Sequence, residues 1–251
     1  MSMPNIVPPA EVRTEGLSLE EYDEEQVRLM EERCILVNPD DVAYGEASKK
    51  TCHLMSNINA PKDLLHRAFS VFLFRPSDGA LLLQRRADEK ITFPGMWTNT
   101  CCSHPLSIKG EVEEENQIGV RRAASRKLEH ELGVPTSSTP PDSFTYLTRI
   151  HYLAPSDGLW GEHEIDYILF STTPTEHTGN PNEVSDTRYV TKPELQAMFE
   201  DESNSFTPWF KLIARDFLFG WWDQLLARRN EKGEVDAKSL EDLSDNKVWK
   251  M

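Results

Sequence analysis

The run RAFSVFLF, residues 67–74, constrains this chain more than any other feature. It is rich in Phe and Val and reads as a buried strand, which other layers of structure must cover. SDG follows as a turn and ALLLQRR, residues 80–86, as a second strand, so the pair predicts a hairpin. GVRRAASRKLEHELG, residues 119–133, predicts a helix closed by Gly133 as its C-cap, with Pro135 beyond it. FTYLTRIHYL and EIDYILFST read as two more strands. Thr191 and Glu194 stand at capping-box spacing at the head of TKPELQAMFE. Thr207 and Pro208 supply a cap and a first helical position for the long stretch that ends at LLARR. Strands with interspersed helices predict an α/β or α+β sandwich.

The flanks read differently. Residues 1–16 are Pro-rich and polar and are expected to form a flexible tail. SLEEYDEEQVRLMEER predicts a helix with Ser18 and Glu21 as a capping box, and RCILVNPDD a short strand ending in a turn at Asn38-Pro39. The charged C-terminal stretch, from NEKGEVDAKSLEDLSD to the last residue, reads as a loose tail. The expected organisation is therefore a tail at 1–16, an N-terminal extension at 17–65, a main domain at 66–230 and a charged tail at 231–251.

Composition excludes several classes of function. A formal net charge of −15 argues against nucleic acid and anionic membrane surfaces as partners, while leaving room for a small anion in a local basic pocket. The most apolar late segment, WFKLIARDFLFGWWDQLL, carries Lys211, Arg215, Asp216 and Asp223, so no membrane span is expected. The four cysteines, Cys34, Cys52, Cys101 and Cys102, are too few for a disulfide scaffold, and the N-terminus shows no secretory run. A reducing, cytoplasmic setting is expected; the peroxisome stays open, although WKM at the end is not the usual SKL signal. The sequence leaves a monomer and a homodimer equally open.

Three kinds of residue carry candidate chemistry. His53, His66, His104, Glu162 and Glu164 form a possible ligand set for Mg²⁺, Mn²⁺ or Zn²⁺. Glu162 and Glu164 are two apart, so on a strand they share one face and His163 points away. Arg85, Arg86 and Lys90, with Arg121, Arg122, Arg126 and Lys127, are the densest basic clusters and could bind phosphate. For at least half of them a helix surface balanced by Glu129 and Glu131 is the plainer reading. Finally, TNTCCSHPL sets two thiols side by side with a histidine two places on.

RKLEHELGV resembles the second half of the Nudix box, G-x5-E-x7-R-E-U-x-E-E-x-G-U, through Arg126, Leu128, Glu131, Gly133 and Val134. The departures matter: Val112 and Ile118 replace the first glycine and glutamate, and Lys127 and His130 replace two more glutamates. The resemblance thus implies the fold without the hydrolase. Longer strings extend it. CHLMSNI, LLHRAFSVFLF, ITFPGMWTNTCCSHPL, TYLTRIHYLAPSDGLWGEHEIDYIL, PNEV and TPWFKLI resemble type I isopentenyl-diphosphate isomerases of the eukaryotic form.

That resemblance implies a mixed sheet sandwiched between helices, with an N-terminal extension. It also implies interconversion of isopentenyl and dimethylallyl diphosphate, as a step of isoprenoid and sterol biosynthesis. One proton is added and another removed on opposite faces, through a carbocation-like state. Cys102 would be the acid or base on one face, and Glu164, assisted by Tyr152, on the other. Trp209 would present a π face to the cation. His53, His66, His104, Glu162 and Glu164 would hold a divalent metal. Glu131 would hold a Mg²⁺ that bridges to the diphosphate, and Arg86, Lys90 and Lys127 would bind that group. Two other readings remain at this point: a Nudix hydrolase that releases phosphate, and a non-catalytic, metal-stabilised binding module.

Overall fold

The structure is a computed structural model, and it describes residues 18–173 and 176–251. The expected tail at 1–16 lies outside the described residues. In chain order the elements are α1 (Glu24–Leu29), β1 (Arg33–Val37), β2 (Ala43–Ser48), α2 (Lys49–His53), α3 (Met55–Ile58), β3 (His66–Leu73) and β4 (Leu81–Arg86). Then come β5 (Trp97–Thr98), β6 (Cys101–Ser103), α4 (Ile118–Leu132), β7 (Thr145–Pro155), β8 (Gly161–Ser171) and β9 (Val184–Val190). The chain closes with α5 (Lys192–Glu200), α6 (Pro208–Ile213), α7 (Phe219–Ala227) and β10 (Val248–Lys250). No helix among the described residues is long and apolar enough to cross a membrane.

A mixed sheet runs β10-β7-β8-β3-β1-β2, with β6 also paired to β3, and a smaller sheet runs β5-β4-β9. β3 and β8 lie parallel at its centre and are buried along their whole length. Period-2 alternation then sends their side chains into two cores. Phe72, Ile168 and Phe170 pack with Phe210, Ile213, Trp222 and Leu225 of α6 and α7 on one face. Phe69, Val71, Ile165 and Leu169 pack with Val120, Ala123, Leu128 and Leu132 of α4 on the other. The sandwich expected from the sequence is therefore present, with RAFSVFLF as its central strand.

Several local expectations match. α4 ends at Gly133, whose φ of 63° is the left-handed value a side chain resists. Thr191 and Glu194 form a reciprocal capping box. α6 starts at Pro208 and runs through a π-helical turn, Ala214–Leu218, into α7, but Thr207 holds the cap position without capping: its hydroxyl is bonded to that of Thr98 at 2.8 Å.

Three expectations need correction. The turn after β3 forms, but only one bridge, Phe74 to Leu81, joins the would-be hairpin before β4 departs into the second sheet with β5 and β9. The N-terminal helix is shorter than the acidic run: α1 begins after Asp23, whose carboxylate accepts from the Glu25 and Gln26 amides, and Ser18 caps nothing in it. The segment 231–251 is not loose. Val235, Ala237 and Leu240 are buried, and β10 pairs in parallel with β7. Strands from residues 33–48 likewise belong to the main sheet, with Leu36 opposite His66.

Candidate active site

Four separate elements bring three imidazoles and a carboxylate together. His53 ends α2, His66 opens β3, His104 follows β6 and Glu164 lies within β8. Register does part of this, since His66 stands directly opposite Glu164 across the parallel β3–β8 pair. One ligand atom from each of the four falls within 4.8 Å of the others, and all four residues are buried. The ring centroids of the histidines are 4.8–5.0 Å apart. His53 donates from Nδ1 to the Lys49 carbonyl at 2.7 Å, which leaves its Nε2 buried with no partner. His66 Nδ1 has none either, and its Nε2 sits 3.1 Å from Glu164 Oε1 without a hydrogen-bond alignment. His104 donates from Nε2 to the same oxygen at 2.8 Å.

Unpartnered buried nitrogens are costly, and a fold that keeps them converging on one point fits a divalent metal. The fixed Nδ1 of His53 is the arrangement that aims an imidazole at an ion. Burial pushes His53 well below the ordinary imidazole range and His104 down to about 3, so both stay neutral; His53 then has its lone pair on the unpartnered Nε2, while the His104 Nε2 proton is engaged by Glu164. Burial alone would raise Glu164, but contacts with His104 and His66 outweigh it and hold the carboxyl ionised.

Glu162 lies on the same face of β8, outside the four-residue cluster. Its Oε2 is 2.9 Å from the Tyr152 hydroxyl, which is also 2.5 Å from Glu164 Oε2. Tyr152 can reach both because it stands opposite Glu164 on β7. Burial and the Glu164 charge raise the Glu162 carboxyl to about 7, so near neutrality it can itself supply a proton to this trio of oxygens. His163 points the other way, as alternation requires, and stacks on His151.

β6 separates the two thiols by the same alternation. Cys101 is fully buried among Val71, Val120 and Ala124 of the α4-side core. Cys102 faces the pocket with Ser70, Tyr152, Glu162, Glu164 and Trp209. Burial pushes the Cys102 thiol up to about 12, partly opposed by Arg86, so it stays protonated at neutral pH. Trp209 is held by a bond from its Nε1 to Asn99 Oδ1 at 3.1 Å and by Phe93 edge-on at 5.2 Å.

Of the basic clusters, Arg86, Lys90 and Lys127 line this pocket. Arg86 is fixed by the Phe93 and Thr92 carbonyls at 2.9 and 2.7 Å. Lys90 pairs with Glu183, and Lys127 lies 3.2 Å from Glu131. Glu131 also lines the pocket, with Gln84 Nε2 at 3.1 Å, and is not among the four clustered ligands. The other cations serve structure: Arg85 bonds the Gly95 carbonyl, Arg121 that of Phe144, Arg122 Glu113 and Arg126 Glu111. Lys49 is a pocket residue that sequence reasoning missed. It stands four residues before His53 in α2, the spacing that puts two side chains on one helix face.

A mixed sheet between helices is the frame of the site, and residues 64–210 match the NUDIX domain family, so the chain is a Nudix protein. Within that class the chain belongs to the isopentenyl-diphosphate delta-isomerase family. It is 58% identical over 218 residues to the isopentenyl-diphosphate delta-isomerase of Gibberella zeae, covering 86% of this chain and 85% of that one. It is 58% identical to the enzyme of that name from Schizosaccharomyces pombe, covering 82% and 90%. To the Bos taurus isopentenyl-diphosphate Delta-isomerase 1 it is 54% identical, covering 83% and 92%.

Proposed function

We propose that this chain is an isomerase that interconverts isopentenyl and dimethylallyl diphosphate by proton transfer at carbon. The observation that carries the reading is the pocket itself. A protonated thiol, Cys102, and a buried Tyr152–Glu164 pair line the same space, together with the electron-rich face of Trp209.

An unactivated alkene is a very weak base, so its protonation needs an acid held in line in a site with little water. Cys102 meets that need as a neutral thiol that gives its proton to the terminal alkene carbon. Glu164, with Tyr152 bonded to it at 2.5 Å, takes the proton from the carbon on the other side. The tertiary cation between the two steps is met by the Trp209 π system rather than by a nucleophile that would trap it. A forward turnover leaves Cys102 as thiolate and Glu164 protonated, and exchange with solvent after product leaves returns a proton to the first and takes one from the second. Arg86, Lys90, Lys127 and Lys49 form the charged end of the pocket and suit the diphosphate.

His53, His66, His104 and Glu164, with Glu162 beside them, would hold a divalent ion, and Glu131 a Mg²⁺ that meets the diphosphate. Such an ion supplies positive charge that lowers the proton affinity of the carboxylate it touches and steadies the substrate anion. Nitrogen-rich donors favour Zn²⁺ or Mn²⁺ over Mg²⁺ in the first site, and oxygen donors favour Mg²⁺ in the second.

The test is an NMR time course with isopentenyl diphosphate and Mg²⁺ in D₂O. Deuterated dimethylallyl diphosphate with an intact diphosphate signal is the expected result. Release of phosphate or monophosphate would show a hydrolase instead, and no change with any of the three metals would remove the catalytic assignment.

A further inference from the structure

Glu183 lies in the turn between β8 and β9 and is 3% exposed. Its carboxylate forms an ion pair with Lys90, itself 9% exposed at the charged end of the pocket. The same residue grips the Lys90 turn a second time: the Ala87 amide donates to the Glu183 carbonyl at 3.0 Å, and the Lys90 amide to the Ala87 carbonyl at 3.3 Å. Behind Glu183 stands the N-terminal segment. Gln26 of α1 donates from Nε2 to Glu183 Oε1 at 3.3 Å and to Asn182 Oδ1 at 2.7 Å. Asn182 donates in turn to Asp23 Oδ1 at 2.8 Å, the carboxylate that caps α1. α1 lies outside residues 64–210, so this support is an addition to the NUDIX core.

We infer that Glu183 is a positioning residue for substrate binding: its carboxylate holds the Lys90 ammonium at the diphosphate end of the pocket, and Gln26 holds that carboxylate. The inference rests on the reading of Lys90 as a diphosphate ligand. The electrostatics explain why such a residue is needed. Lys90 is pushed down to about 8 by burial, and the cations Lys49, Arg86 and Lys127 push the same way, while Glu183 is the leading charge that opposes the shift; Glu21, Asp23, Asp88 and Glu89 line a neighbouring cavity with the lysine. Lys127 is in turn occupied by Glu131 and by His130. Without Glu183 the Lys90 ammonium would lose both its anchor and the charge that keeps it protonated at neutral pH.

Diphosphate binding uses the protonated lysine, so KM rises as pH climbs through the Lys90 pKa. Removing the neighbouring carboxylate lowers that pKa and moves the rise to lower pH. The experiment measures kcat and KM for isopentenyl diphosphate with the metal-loaded enzyme from pH 6 to pH 9, for the parent, Glu183→Gln, Gln26→Ala and Lys90→Met. The substrate's own titration is common to all four and cancels. Glu183→Gln should raise KM about fivefold at pH 8 and approach tenfold at pH 9, the effect of lowering the lysine by one pKa unit, with kcat within about twofold and the KM rise starting about one pH unit lower. Gln26→Ala should show the same signature at about two- to threefold, because one neutral hydrogen bond is lost. Lys90→Met should raise KM at every pH and abolish the pH-dependent rise. A raised KM in Lys90→Met with parental KM values and pH profile in Glu183→Gln overturns the role of Glu183 and leaves the lysine's role standing. A parental KM in Lys90→Met removes the lysine's role and the inference with it. Should Glu183→Gln fail to fold, Gln26→Ala decides: a shifted KM profile supports the inference and an unshifted one overturns it.

Discussion

Two buried polar clusters stand back to back on the β3–β8 pair, and they are built in opposite ways. On one face His53, His66, His104 and Glu164 converge with imidazole nitrogens left unpartnered. On the other face Asp41 is saturated: Arg67 donates to it from Nε at 2.9 Å, Arg149 from Nη1 at 2.7 Å, and Tyr167 from its hydroxyl. Arg67 also reaches Glu114 at 3.0 Å. Arg67 and Tyr167 leave the strands by the same alternation that sends His66 and Glu164 the other way. A polar cluster whose charges cancel internally ties elements together, here β3, β7 and the turn after β1. A cluster that keeps donors open at a cost in stability is arranged for something it must bind.

The contrast predicts which cluster loses activity and which loses stability. The largest effect belongs to the thiol on the reactive face: Cys102→Ala should lower kcat by about 10²–10⁴-fold, the span of general acid–base catalysis, with the metal still bound. Cys101→Ala, one residue away in the other core, should cost about 1 kcal/mol of stability and leave kcat within about twofold. Steady-state kinetics beside denaturant unfolding separates the two; reversed outcomes would falsify the assignment of the proton carrier. Next in size, Asp41→Ala should destabilise the fold by about 3–5 kcal/mol, because it strands Arg149 and leaves the buried Arg67 with only the exposed Glu114. The surviving folded enzyme should keep parental kcat, and a fall in kcat at full folding would erase the distinction between the faces.

Metal removal should act on the open cluster alone. Chelation is expected to lower Tm, by the equivalent of about 2.7 kcal/mol if the ion was at a hundredfold excess over its Kd. His104→Ala should abolish the difference between loaded and chelated protein; an undiminished difference in that variant would place the ion elsewhere. The smallest effect is chemical. With the Cys102 thiol pushed up to about 12, its alkylation by iodoacetamide should be slow and should still climb about tenfold per pH unit through pH 9, as its small thiolate fraction does. A fast rate that levels off near pH 9 would show an ordinary thiol of pKa about 8.5 and a wetter pocket.

Much of the fold and the site is legible in the residue order. α4 announces itself by a helical pattern and Gly133, α6 by Thr207-Pro208, and Glu162 and Glu164 by their spacing on a strand. Signals of this kind are local, a few residues interacting through their own backbone. The failures share a cause as well. Turn chemistry at 77–79 is right for a hairpin, yet nothing in eight residues says that β4 will leave for another sheet. β10 is three residues long and partly charged, so it has no readable period; it is a strand because β7 offers it an edge. Glu183 entered the site through Lys90, a partner far away in sequence.

The amino-acid order by itself determined the available chemistry: which side chains could donate protons, ligate a metal or carry positive charge, and which segments preferred helix or strand. Only the tertiary structure decided that residues 53, 66, 104 and 164 would meet within 4.8 Å. It alone decided that Lys90 would face Glu183 and that burial would keep a thiol protonated. Those outcomes depend on desolvation and on contacts between distant segments, and both arise only when the sheet has closed around them.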